Sequence, residues 1–164
     1  MSRLPVTAIV VVAAGTALSL GACGSSTLSE EQLTGLQKRA ATLQVKLQEA
    51  GQKADACATD TKAKTEGAKG IGACLGTALT TSAKEIDGID TYVKDLAGSA
   101  SGDCKDKLNA LSDALGQTTD GLQNAAATAN KGDLEGISED LKQVTTDQVD
   151  VQVAGRDADK ACGG

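Results

Sequence analysis

From Thr27 onward the apolar residues recur at alternating spacings of three and four. Leu33, Leu36, Ala40, Leu43, Leu47, Ala50, Ala54 and Cys57 form one unbroken seam, the pattern of a helix that buries a single stripe. Its start is marked by Ser29 and Gln32 at capping-box spacing, with Glu30 and Glu31 facing the positive end of the helix dipole and Leu28 placed to staple onto Leu33. A helix over residues 29–58 is predicted. The polar stretch 59–70 has no apolar period and reads as a loop. Leu75, Leu79, Ser82, Ile86, Ile89, Val93 and Leu96 make a second seam, predicting a helix over 71–97 that stops at the Gly/Ser-rich break 98–102. Cys104, Leu108, Leu111, Leu115, Thr118, Leu122, Ala125 and Ala129 predict a third over 103–129. Leu134, Ile137, Leu141, Val144, Gln148, Val151, Gly155, Ala158 and Cys162 predict a fourth over 133–162, with Asp133 as N-cap. Residues 145–153 alternate with period two, but no second alternating run exists to pair with them, so they are read as helix. Four amphipathic segments of roughly 40 Å each, joined by short breaks, predict an all-α, up-down-up-down four-helix bundle spanning 29–164.

Composition narrows what such a bundle does. The chain has no His, Phe or Trp and a single Tyr, so its core is aliphatic and its chemistry restricted. Without His there is no Ser-His-Asp or Cys-His nucleophile and no imidazole metal ligand. One aromatic residue cannot form a base-stacking platform, and a net charge of −6 opposes binding to a phosphate backbone. Asp87/Asp90, Asp147/Asp150 and Asp157/Asp159 are carboxylate pairs, yet none has the spacing of a calcium loop, and solvated helix faces account for them. Neither an enzyme, a metal nor another cofactor is expected, and nucleic acid is not an expected partner.

The N-terminus carries the clearest motif. Arg3 precedes the apolar run Leu4 to Leu20, which ends in Leu20-Gly21-Ala22-Cys23. A positive n-region and an apolar h-region are those of an export signal. An aliphatic residue three before a Cys, followed by two small residues, resembles the lipobox of bacterial lipoproteins, and the Ala- and Gly-rich composition is similar to that of exported proteins of high-GC bacteria. The resemblance covers only the first 24 residues or so. It implies a signal peptide over 1–22, cleavage before Cys23, acylation of the Cys23 thiol with fatty chains such as palmitate, and a flexible tether over 23–28. The resulting protein would be exported and held by lipid on the extracytoplasmic face of the cell membrane. Removing 1–22 makes the net charge one unit more negative, so acyl chains and not a basic patch would supply membrane affinity.

Setting Cys23 aside leaves four cysteines, for which three pairings exist. In the predicted bundle Cys57 and Cys74 lie at the end far from Cys23, and Cys104 and Cys162 at the near end. Cys57–Cys74 and Cys104–Cys162 are therefore the expected disulfides, because the other pairings would span a ~40 Å bundle where a disulfide needs Cα atoms about 4.4–6.8 Å apart.

Counting equal steps from these ties brings the three polar seam residues Ser82, Thr118 and Gln148 to one mid-bundle level, beside Ala50. Such a layer could specify register by mutual hydrogen bonding or line a small polar pocket. Val149 and Val153 fall off the seam, one turn apart. Either they form an exposed apolar patch for a partner, or the fourth helix rotates to bury them and turns Gln148 outward. Two functions follow from these features: a helical protein-interaction or structural module of the envelope, with an envelope protein as partner, or a carrier of a small ligand held in the bundle core. A solvent-reached cavity of a few hundred Å³ would favour the carrier, and a solid core with an exposed apolar stripe the interaction module.

Overall fold

The computed structural model describes residues 28–163. The expected signal peptide over 1–22, Cys23 and the expected tether before Leu28 lie outside the described residues. The rest is all-α: α1 (Glu30–Cys57), α2 (Thr61–Thr65), α3 (Ala68–Ser99), α4 (Gly102–Asn130) and α5 (Leu134–Gly163). The four long helices pack antiparallel, each to its chain neighbour.

Their ends follow local chemistry. Ser29 Oγ accepts from the Gln32 N–H at 3.2 Å while Gln32 Oε1 accepts from the Ser29 N–H at 2.8 Å, closing the expected capping box. Asp133 Oδ1 accepts from the Gly136 N–H at 2.9 Å at the start of α5. The segment 145–153 is helical throughout. One expectation needs correcting: 59–70 is not all loop. Asp60 caps a short helix by accepting from the Ala63 N–H at 2.7 Å, and Ala63 is buried. Gly67, at φ 67°, then turns the chain into α3, which begins three residues before the predicted start. The apolar period could not reveal α2, because one buried Ala gives no period.

The core is distributed unevenly. The α3–α4 and α4–α5 interfaces are extensive, α1 packs on α3 to a smaller extent, and α1 and α5 scarcely meet. Val93 of α3 and Leu108 of α4 are wholly buried. On α1, by contrast, the buried residues are Ala50, Ala54 and Cys57 at its far end, while Leu33, Leu36, Leu43 and Leu47 are only half-buried and Ala40 is exposed. Close approach of α3 to α4 depends on Gly72, where an added Cβ would collide with the backbone carbonyl of Ala129. Gly35 does the same for α1 on α3: a Cβ there would strike the Tyr92 hydroxyl, which donates to the Gln32 carbonyl at 3.3 Å. Arg39 lies over the Tyr92 ring, 4.3 Å from its centroid, and Gln32 Nε2 donates to Ser99 Oγ at 3.1 Å. The single aromatic residue of the chain is thus the anchor of α1 on α3.

Cys57 is bonded to Cys74 with Cα atoms 5.6 Å apart, and Cys104 to Cys162 with Cα atoms 4.8 Å apart. The pairing is the one the end-to-end argument selects. Two disulfides indicate an oxidising, extracytoplasmic compartment. Among the described residues no helix is long and apolar enough to cross a membrane.

The two bridges close loops of different length, with sequence separations of 17 and 58. By the chain-entropy argument they contribute about 3 and about 4 kcal/mol respectively. Replacing Cys104 and Cys162 by Ser should therefore lower the urea midpoint more than replacing Cys57 and Cys74. Equal loss from both double variants would count against loop length as the governing term.

Candidate functional site

The weak meeting of α1 and α5 leaves a cleft of about 310 Å³. One wall is the α1 stripe of Leu33, Leu36, Ala40 and Leu43; the floor is Leu108, Leu111 and Leu115 of α4; the other wall includes Val151 and Gly155 of α5. Leu28 closes the near end, where it packs into the core just ahead of the capping box. The half-burial of the α1 leucines has its cause here: they face a space that no side chain of α5 fills. At Gly155 an added Cβ would meet only Leu111 Cδ1, at 4.0 Å.

Four polar side chains join the lining: Gln37 from α1 and Gln152, Arg156 and Asp159 from α5. Arg156 donates from Nε to the Gln152 carbonyl at 3.3 Å. Burial pushes the Asp159 carboxyl above its ordinary value of 3.8, since a partly desolvated carboxylate is disfavoured relative to the neutral acid. Farther along α1 and α5 lies a separate pocket of about 40 Å³, bounded by Leu47, Ala50, Leu141, Val144 and Gln148. A further depression of about 370 Å³ lies in the outer α4/α5 groove. It is larger, but its lining includes Lys107, Asp113, Asp150 and Asp157 and it is open to water, so it lacks the apolar enclosure a ligand site needs.

The structure distributes the sequence-predicted residues differently from a single polar layer. Ser82 and Gln148 do come together, lining the 40 Å³ pocket with Ala50. Thr118 is buried elsewhere on α4. Each hydroxyl turns back on its own helix, Ser82 to the Ala78 carbonyl at 3.1 Å and Thr118 to the Ala114 carbonyl at 3.0 Å, and none of the three hydrogen-bonds to another. The intrahelical carbonyl one turn back is always within reach of Ser and Thr and needs no match between helices. Val149 and Val153 are exposed, at 54% and 44%, and Gln148 stays half-buried, so α5 keeps its seam and does not rotate. Val153 borders the outer groove. Val45 of α1, which no seam argument singled out, is equally exposed at 55%.

Two carboxylates read as solvated are in fact buried. Asp90 is 4% exposed: Ser112 Oγ of α4 donates to one of its oxygens and the Lys94 ammonium sits 2.7 Å from the other. That hydrogen bond and the Asp90 charge raise the pKa of Lys94 above its usual value. Asp147, also 4% exposed, accepts from Gln143 Nε2 at 2.8 Å and lies against α4 where Gly121 leaves room. Buried carboxylates persist because donors reach them; spacing along one helix could not show that Ser112 lies opposite Asp90.

The cleft itself was missed. Its signal was present, since Ala40 and Gly155 occupy seam positions on helices that should face each other, two small residues where a filled core would put larger ones. Comparison with family models, curated proteins and solved structures gave no match to this chain, so the cleft is interpreted from its own geometry.

Ser112→Ala should destabilise the fold by about 1–3 kcal/mol, because it leaves a buried Asp90 oxygen short of a donor; chemical denaturation measures it. Lys94→Met should also destabilise, although the Lys94 side chain is largely exposed, because it removes the counter-charge of the buried Asp90 carboxylate. An unchanged stability for Ser112→Ala would show that solvent satisfies Asp90. For Asp159 the sign is opposite to that of a salt-bridged acid. The folded state holds its proton more tightly than the unfolded chain, so its contribution favours folding at low pH and is lost as pH rises from about the ordinary value through the raised one. An NMR titration should find its midpoint above 3.8, and Asp159→Asn should remove that part of the pH dependence of stability.

Proposed function

We propose that this protein is a lipid-anchored envelope protein whose helical domain takes up a small apolar ligand in the α1/α5 cleft. The observation that carries the proposal is the cleft: about 310 Å³, reached from solvent, with aliphatic walls and four polar side chains. Pockets that hold small molecules occupy about 300–1,000 Å³ and combine apolar walls with a few polar groups. An apolar cavity of about 150 Å³ already holds benzene, so the cleft has room for a larger hydrophobe. Covering Leu33, Leu36 and Leu43 would remove apolar surface from water at roughly 25 cal/mol per Å², a driving force that needs no specific hydrogen bond.

The interaction-module reading rests on Val45, Val149 and Val153. Val149 and Val153 form a patch of only two side chains one turn apart on α5, with Val45 on α1 apart from them, and they offer a partner less apolar area than the cleft. Membrane attachment rests on the Leu20-Gly21-Ala22-Cys23 motif, and the two disulfides support export. Attachment through Cys23 would put the near end of the bundle, where Leu28 enters the cleft, closest to the bilayer.

The unlipidated Cys23→Ser chain should bind the neutral dye N-phenyl-1-naphthylamine saturably, one per molecule, with a fluorescence rise. Gly155→Leu, which places a side chain in the cleft, should weaken binding about tenfold, the equivalent of about 1.4 kcal/mol. Dye binding that is absent, or indifferent to Gly155→Leu, would count against a ligand cleft. In detergent phase separation the wild type should enter the detergent phase and Cys23→Ser the aqueous phase; identical partitioning would refute anchoring through Cys23.

A further inference from the structure

The shape of the cleft says more about its ligand than its volume does. Its α1 wall runs from Leu28 to Leu43 and its α5 wall from Val151 to Cys162. At 1.5 Å per helical residue these are lengths of about 22 and about 17 Å. The volume of about 310 Å³ is thus drawn out along about 20 Å of helix, a shape that suits an extended chain better than a compact ring system.

The polar lining is equally one-sided. Three of its four members, Gln152, Arg156 and Asp159, lie on successive turns of α5, with Gln37 opposite on α1. Arg156 uses Nε on the Gln152 carbonyl, and its terminal NH₂ groups form a fork suited to a carboxylate. Asp159 is the one anionic lining residue, one turn beyond Arg156.

From this geometry we infer that the cleft binds one long-chain fatty acid, its unbranched chain lying along the α1 leucine stripe and its carboxylate at Arg156 and Gln152. The inference rests on the ligand-cleft reading above and deepens it. No bond is made or broken; the ligand is released as it entered. The same acyl chemistry is carried in cis if Cys23 is lipidated, and Cys23 lies only five residues before Leu28, within about 18 Å of extended chain. The free acid is preferred as occupant because the carboxylate-binding fork at Arg156 has no counterpart in a chain esterified to the protein's own anchor.

The test uses the full chain reconstituted into phosphatidylcholine vesicles and a diazirine analogue of palmitic acid, added immediately before irradiation, with crosslinked residues mapped by mass spectrometry. Crosslinks on residues 33–43 and 151–159, competed by palmitate, are expected. Arg156→Gln should weaken palmitate competition about tenfold while leaving competition by hexadecanol, which has no carboxylate, unchanged. Gly155→Leu should abolish the crosslinks, with Gly155→Ala as the control that adds only a methyl group. A diazirine adamantane carboxylate that labels the cleft where the palmitate probe does not would overturn the fatty-acid inference and leave the apolar-ligand reading standing. Labelling of the cleft by neither probe would overturn both. Palmitate labelling that appears only in Cys23→Ser would assign the cleft to the protein's own anchor and refute a free ligand.

Discussion

Where α1 and α5 face each other there is too little side-chain volume to close the bundle: Ala40 and Gly155 stand at seam positions there, and a cleft separates the two helices. Elsewhere small residues let backbones approach closely, as at Gly72 against Ala129. The packed part of the structure is accordingly α3, α4 and α5, with Val93 and Leu108 at its centre. α1 rests on α3 alone, held by its capping box, by Tyr92 over Gly35 and by the tie to Cys74. The fourth interface is left open, and its open side is the cleft.

The covalent ties respect that division. Cys57–Cys74 joins α1 to α3, and Cys104–Cys162 joins α4 to α5. Neither crosses the cleft, so nothing covalent draws its walls together, while each strengthens an interface next to it. The disulfides and the cleft thus answer to one shortage. A core of small side chains gains less from burial than one containing aromatic residues, and loop closure offsets part of the deficit. The leucines of α1 stay half-buried because they line the cleft and no side chain of the opposite α5 wall, where Gly155 stands, fills it.

Polar groups follow a similar logic of reach. Ser82, Thr118 and Gln148, expected at one level, do not form a layer, because the Ser and Thr hydroxyls find a carbonyl one turn back on their own helix. The polar contact that does join two helices lies elsewhere, between Asp90 and Ser112, where a carboxylate in mid-helix finds the backbone N–H groups around it already used by the helix and takes its donors from side chains. Identity of residue type, more than position in the seam, separates the two outcomes.

Much of this was legible beforehand. Periodicity located the four long helices to within a few residues, Ser29 and Gln32 announced the cap, and bundle topology chose the disulfides, because these properties depend on local spacing and on which helix end a residue occupies. The short α2, the burial of Asp90 and Asp147, and the loss of the polar layer were not legible, since each depends on which atom of another segment lies within a few ångströms. The cleft lies between these cases. The small residues Ala40 and Gly155 are plain in the sequence, but a pair of small residues is equally compatible with two helices drawn close together. Sequence alone determined how many long helices there are, where they end and which ends are tied. Only the tertiary packing decided whether α1 and α5 would approach or part, because that depends on the summed volume of every side chain between them, and here there was too little to bring them together.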